Sequence, residues 1–223
     1  MSVPATTPVH VLPPRHGIYH AAFPGFCATE ACATAARIRA FERKTGRRIV
    51  WAYFSDNWVH GIRFPEERVH AVWSVQHTIP FVRLMPRASW KPGCADRTYS
   101  LAKIVAGRFD RQLRAWAVAA ARTRIPIMVE FGTEANGDWF PWSGACNGGP
   151  ARFRAAYRHV VSVFRAAGAA NVTWVLHLDA SAGHFAAYYP GARWVDWVGL
   201  SAYGAQEPSD FVSHAPSVPS TLR

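Results

Sequence analysis

Thr133, Glu134, Asn136 and Asp138 fall in one short run with Trp139, Phe140 and Trp142. A carboxyl group can hand a proton to a leaving oxygen, and aromatic faces can stack on a sugar ring. Together they suit the cleavage of glycosidic bonds. A carboxylate set at the end of an apolar strand among large rings is also costly to bury without a purpose. The competing reading is a surface loop whose aromatics fill a small satellite core. His177 and Asp179, with His184 nearby, read either as a metal or sugar-binding pair or as a polar strand end facing a cleft. Asp56, Asn57 and Trp58 in one loop, and Trp90 in another, are placed to extend such a cleft.

The elements that must position these groups follow from hydrophobic pattern. Ile125–Phe131 is apolar, β-branched and closed by Gly132, which predicts a buried strand running straight into the Glu134 loop. Strands are also expected over 16–23, 48–54, 79–85, 172–178 and 194–202. Helices are expected over 29–45, 65–77, 99–106, 109–123, 150–167 and, in short form, 185–189. Strand and helix alternate, which argues for a parallel sheet with helices outside it. The long polar-aromatic loops follow strands and the short ones precede them. That is the pattern of a barrel whose site lies at the C-terminal face. No GxGxxG follows a strand and no GxxxxGK[ST] occurs, so nucleotide-binding folds lose ground. The fold expected is α/β, a (β/α)8 barrel with six of its eight units present, over residues 16–204. Residues 1–15 are Pro-rich and expected to be flexible, and 205–223 form a Pro/Ser-rich tail.

The chain has 223 residues and a formal net charge of +11, with half its residues hydrophobic. The arginines are scattered over helix faces rather than gathered in a tail, which speaks against nucleic acid as a partner. No apolar run is long enough to cross a membrane. Four cysteines allow three pairings. Bridges Cys27–Cys32 and Cys94–Cys146 would suit an extracellular or periplasmic protein, whereas four reduced thiols would suit a cytoplasmic enzyme.

The run Thr133-Glu134-Ala135-Asn136-Gly137-Asp138-Trp139-Phe140-Pro141-Trp142 resembles the central motif of glycoside hydrolase family 26, the β-mannanase family of retaining barrels. The likeness extends upstream through Ile104–Asp110. Downstream it takes in Phe153–Phe164, Asn171–Trp174, Tyr189–Gly191 and Val195–Tyr203. It implies that Glu134 is the general acid/base, that Trp139 contacts sugar, and that Tyr203 steadies the nucleophile. Asn136, Trp142, Trp90 and His177 complete the expected substrate cleft. The substrate implied is a β-linked polysaccharide or oligosaccharide, with no cofactor and no metal, because two carboxylates carry the chemistry. The family's nucleophile ends a seventh strand, and no segment here resembles that strand; the context around Glu207 does not match it. A cut-short, catalytically inactive sugar-binding barrel is therefore the alternative to a retaining endo-β-1,4-mannanase. Two positions depart from the family pattern, Thr133 in place of His and Glu130 in place of Arg. Strand alternation turns Glu130 to the same side as Glu134, where a partner is required, and Arg83 on the neighbouring strand is the expected one.

Overall fold

A computed structural model describes residues 10–25, 27–91 and 93–203. Five strands, β1 (Trp51–Asn57), β2 (Ile79–Met85), β3 (Ile127–Phe131), β4 (Val172–Asp179) and β5 (Trp197–Ser201), alternate with helices. The helices are α1 (Ala35–Thr45), α2 (Glu66–Trp73), α3 (Leu101–Val105), α4 (Asp110–Thr123), α5 (Gly149–Ala166) and α6 (Phe185–Tyr188). The strands pair in parallel in the order of the sequence. A parallel sheet wound in sequence order, with a helix packed outside each crossover, is a barrel wall.

The strand expected over 16–23 is reduced to a single bridge between Ala22 and Ala52. Pro24 has no N–H with which to extend the ladder, and Ile18 is 92% exposed, so little apolar burial rewards a longer strand. Helix α1 starts at Ala35 rather than 29. The disulfide Cys27–Cys32 closes the preceding residues into a loop, and Thr34 caps the helix by accepting from the Arg37 amide. Helix α2 stops at Trp73, ahead of Gln76 and His77, which both adopt left-handed backbone.

Side chains alternate across the sheet. Ala52, Phe54, Val82, Leu84, Ile127, Val129, Phe131, Trp174 and Leu176 face the helices and form the main core. Facing inward at the lower end are Trp51, Ile79, Phe81, Met128, Val175 and Trp197. The rings of Trp51 and Trp197, on the first and last strands, lie 6.0 Å apart, so the sheet is strongly curled. Val11 is buried in this inner cluster. Its N–H donates to Thr173 Oγ1 at 2.9 Å and its carbonyl accepts from Trp197 Nε1 at 2.7 Å. The expectation of a flexible 1–15 segment is thus corrected at Val11, where apolar burial and two hydrogen bonds pin the chain inside the curl. Above this apolar floor the inward positions turn polar: Ser55, Arg83, Glu130, His177 and Ser201.

Both disulfides, Cys27–Cys32 and Cys94–Cys146, are formed. No helix among the described residues is long and apolar enough to cross a membrane. The expected tail at 205–223, Glu207 included, lies outside the described residues.

Candidate active site

Strand β3 is buried at every position and delivers Glu130 inward before the chain turns at Gly132. Gly132 has φ 67°, and a Cβ there would sit 2.9 Å from the Trp142 ring. Only glycine meets both demands. Glu134 follows with φ 51°, in the left-handed region that a glutamate occupies at some cost. Its surroundings hold it there. The Glu134 amide donates to the His177 carbonyl at 3.1 Å, and the Gly137 amide donates to the Glu134 carbonyl at 3.0 Å. Trp142 Nε1 donates to the Thr133 carbonyl at 2.7 Å.

The result presents the Glu134 carboxylate on a cleft of about 330 Å³ at the C-terminal ends of the strands. Trp139 Nε1 donates to Oε2 at 2.8 Å and Ser201 Oγ donates to Oε1. Tyr203 Oη reaches Oε1 at 3.4 Å. The Trp139 ring lies against Gly137, where a Cβ would come within 2.5 Å of it, so the glycine sets the ring's position.

Beneath Glu134 runs an ion-paired network. Arg83 Nε donates to Glu130 Oε1 at 2.7 Å, Nη1 to Glu30 Oε2 at 2.7 Å, and Nη2 to Thr133 Oγ1 at 2.6 Å. The expected Arg83–Glu130 pair is therefore present. His177 Nδ1 lies 2.8 Å from Glu130 Oε2, and Nε2 lies 3.0 Å from Ser201 Oγ. Burial would raise the Glu130 pKa, but the charges of His177 and Arg83 override it and hold the carboxyl down to about 2. Burial likewise works against a charged His177, yet Glu130 wins and the imidazole pKa is raised. Arg83 is held above its ordinary value in the same way, burial being outweighed by Glu130 and Glu30.

Of the other expected site residues, Trp90 is half exposed on the cleft wall, with the Arg87 guanidinium 5.2 Å from its ring. Tyr203 is 73% exposed at the mouth and Trp139 is 39% exposed. Two expectations are corrected. Trp142 is fully buried and packs as a pillar under the loop, so its faces are closed to a sugar. Asn136 is a clasp: its Nδ2 donates to the Asp179 and Gly183 carbonyls, and its Oδ1 accepts from the Asp179 amide. All its hydrogen-bonding capacity apart from one lone pair is used inside the protein.

Trp58 is fully buried too, and Asp56 turns outward to accept from Trp116 Nε1; only Asn57 of that trio lines the cleft. His177 and Asp179 do not converge with His184 on a metal. Asp179 instead accepts from the Ser181 and Ala182 amides, and no group of three potential metal ligands forms among the described residues. Sequence reasoning missed Glu30, Tyr53, Ser55 and Ser201 as cleft residues. A carboxylate inside a five-residue disulfide span was one available signal. Ser201, two residues before Tyr203 on the same strand end, was another.

A curled parallel α/β sheet with a carboxylate at the end of a strand, facing an aromatic-rimmed cleft, defines a partial barrel of the glycoside hydrolase type. Residues 100–214 match the sequence profile described as "Glycosyl hydrolase family 26", which is more than half of the chain. The chain belongs to that family. It is 28% identical over 174 residues to Endoglucanase H of Acetivibrio thermocellus, covering 74% of this chain and 18% of that protein. It is 32% identical over 117 residues to a mannan endo-1,4-beta-mannosidase of Bifidobacterium adolescentis, covering 47% of this chain and 11% of that protein. The chain thus spans less than a fifth of the length of these curated relatives. Among solved structures, a β-mannanase from a symbiotic protist of the termite Reticulitermes speratus, complexed with gluco-manno-oligosaccharide, superposes with TM-score 0.60 at 15% identity. That match covers 76% of this chain and 59% of the other. The family 26 domain of an endo-β-mannanase/endo-β-glucanase from Prevotella bryantii gives TM-score 0.62 at 15% identity, over 88% of this chain and 73% of the other. At such identities the structures establish the shared fold.

Proposed function

We propose that this chain carries a glycoside hydrolase site for a β-1,4-linked mannan or a related β-glycan, with Glu134 as general acid/base. The observation that supports it most directly is the placement of Glu134. A residue held in left-handed backbone at the end of β3 offers its carboxylate to the cleft, with Trp139 and Ser201 fixing both oxygens. Strain kept at one carboxylate is the mark of a site in which position matters more than stability. Trp90, Trp139 and Tyr203 supply exposed ring surface for stacking sugars. In a retaining reaction Glu134 gives its proton to the leaving glycosidic oxygen as a second carboxylate bonds the anomeric carbon; water then displaces that carboxylate and gives its proton to Glu134. Residues 16–204 are taken as the barrel unit. The two disulfides fit a site of action in an oxidising compartment outside the cytoplasm.

The test is release of shorter sugars from mannan and glucomannan oligosaccharides, read by mass. Glu134→Gln is expected to lower the rate by about 10²–10⁴-fold while leaving the fold intact. Undiminished turnover in that variant removes Glu134 from the role.

One observation favours a second reading, sugar binding without turnover. Glu30 and Glu130, the other carboxylates of the cleft among the described residues, are both ion-paired to Arg83. Neither stands free to attack an anomeric carbon. Saturable heat of binding for a mannan oligosaccharide, with no products after long incubation, would decide for this reading.

A further inference from the structure

Ser201 joins two titratable side chains. Its Oγ lies in hydrogen-bond contact with Glu134 Oε1 and 3.0 Å from His177 Nε2. On the far side of the imidazole, Nδ1 faces Glu130 Oε2 at 2.8 Å and Thr133 Oγ1 at 2.9 Å. Glu130 is buried and already ion-paired to Arg83, so it stays a carboxylate and keeps a proton on Nδ1. Nε2, the nitrogen facing Ser201, is then the one that gains and loses a proton.

A hydroxyl has one proton to give, and counting it restricts the states of the trio. With His177 charged, Nε2–H donates to Oγ and the hydroxyl donates to the Glu134 carboxylate. With His177 neutral and Glu134 protonated, every donor reverses and every contact is again satisfied. Both arrangements hold the same number of protons. With both groups deprotonated, the single hydroxyl proton faces two lone pairs and one contact fails. The trio therefore favours one shared proton over none.

We propose that Ser201 is a proton relay between His177 and Glu134, a positioning residue for the acid/base step. In the transfer the Nε2–H bond breaks as a new Oγ–H bond forms. The original Oγ–H bond breaks as an Oε1–H bond forms on Glu134. A neutral imidazole, an unchanged serine and a protonated acid result, with no other reactant. The groups facing the imidazole from each element are Arg83 on β2, Glu130 on β3, Thr133 and Glu134 on the following loop, and Ser201 at the end of β5, while Tyr203 meets Glu134 instead. The relay gives the acid/base a proton reserve one serine away, on the wall of the same cleft. It rests on Glu134 being the general acid, and its test does not need turnover.

The test is the titration of His177 by ¹⁵N NMR in the histidine-labelled chain, wild type against Ser201→Ala, Ser201→Gly and Ser201→Thr. In the wild type the His177 Nε2 midpoint is expected to respond to Glu134→Gln, as coupled sites do. Loss of the hydroxyl is expected to lower the midpoint of His177 by about one pH unit or more and to weaken that response. Ser201→Thr, which keeps the hydroxyl, is expected to restore both. The glycine variant serves if alanine does not fold. A His177 profile unchanged in the Ala or Gly variant overturns the relay. A chain that shows the coupling yet cleaves no sugar supports the relay and refutes the hydrolase reading.

Discussion

Arg83 Nε lies 2.7 Å from Glu130 Oε1 on the adjacent strand, and the same guanidinium holds Glu30 and Thr133. One largely enclosed cation thus ties β2, β3, the Glu134 loop and the disulfide loop into a single layer. Its removal leaves Glu130 charged in a site that is 1% exposed. Arg83→Met is expected to destabilise the fold by about 3–5 kcal/mol, the usual cost of breaking one side of a buried pair. Adding Glu130→Leu should recover part of the loss. Urea unfolding of the single and double variants measures both, and a loss below about 1 kcal/mol would show the pair to be dispensable.

The same pair sets an acid limit. Glu130 falls from an ordinary 4.5 to about 2 in the fold. Its stabilisation is therefore present above pH 4.5 and is lost as pH falls toward 2, with about 3 kcal/mol at stake. His177 has the opposite sign: its pKa is raised, so its contribution is present below 6.5 and is lost as pH rises through the folded value. Glu130→Gln is expected to flatten both limbs of the stability profile relative to wild type. Chemical denaturation across pH 2–8 reads this, and parallel profiles for the two proteins would refute it.

Much of this layer was legible from residues alone. The limits of β2 follow from an apolar run between turn residues. The Arg83–Glu130 pair follows from strand alternation, because two inward charges on neighbouring strands have few other partners. Trp142 misled because a tryptophan in a loop reads the same whether it lines a cleft or props one up, and only its depth separates the two. Ser201 and Glu134 are 67 residues apart, and their contact depends on how far the sheet curls. No local pattern encodes that curvature. Glu30 was missed because it reaches the cleft from a disulfide-closed loop rather than a strand end.

Trp139 serves Glu134 through one hydrogen bond, Nε1 to Oε2 at 2.8 Å. Trp139→Phe keeps most of the ring and deletes the donor. If Glu134 is the acid/base, kcat is expected to fall about tenfold, the value of one ordinary hydrogen bond to a charged group, with KM changing little. Steady-state rates on a mannan oligosaccharide check it. A rise in KM with kcat unchanged would assign Trp139 to sugar stacking alone.

On the outer face, burial raises Asp56 to about 7 despite the Trp116 hydrogen bond and the nearby Arg68 charge. A raised acid stabilises the fold below its unfolded value of 3.8, and the effect drains away as pH climbs to about 7. Stability from this group therefore falls by about 1.4 kcal/mol per pH unit over that window. Asp56→Asn keeps an acceptor for Trp116 and removes the titration. Its stability, compared with wild type at pH 4 and pH 8, is expected to shift in favour of the variant at pH 8. An identical pH slope in both proteins would show Asp56 to be solvated.

The two disulfides are expected to do different work. Cys94–Cys146 joins residues 52 apart, tying the loop after β2 to the turn before α5. Closing a loop of that length removes about 4 kcal/mol of unfolded-state entropy. Cys27–Cys32 spans five residues, so by the same relation it contributes only about 2 kcal/mol. Its loop, however, carries Glu30 to Arg83 and Ser55. Cys94→Ser with Cys146→Ser should lower the melting temperature more than Cys27→Ser with Cys32→Ser does. If the cleft takes oligosaccharide, the second pair of substitutions should instead weaken that affinity, because Glu30 loses its tether and Arg83 one of its partners. Melting curves and binding isotherms on the two double variants separate these effects. Equal losses of stability with unchanged affinity would mean that the short bridge is only another staple.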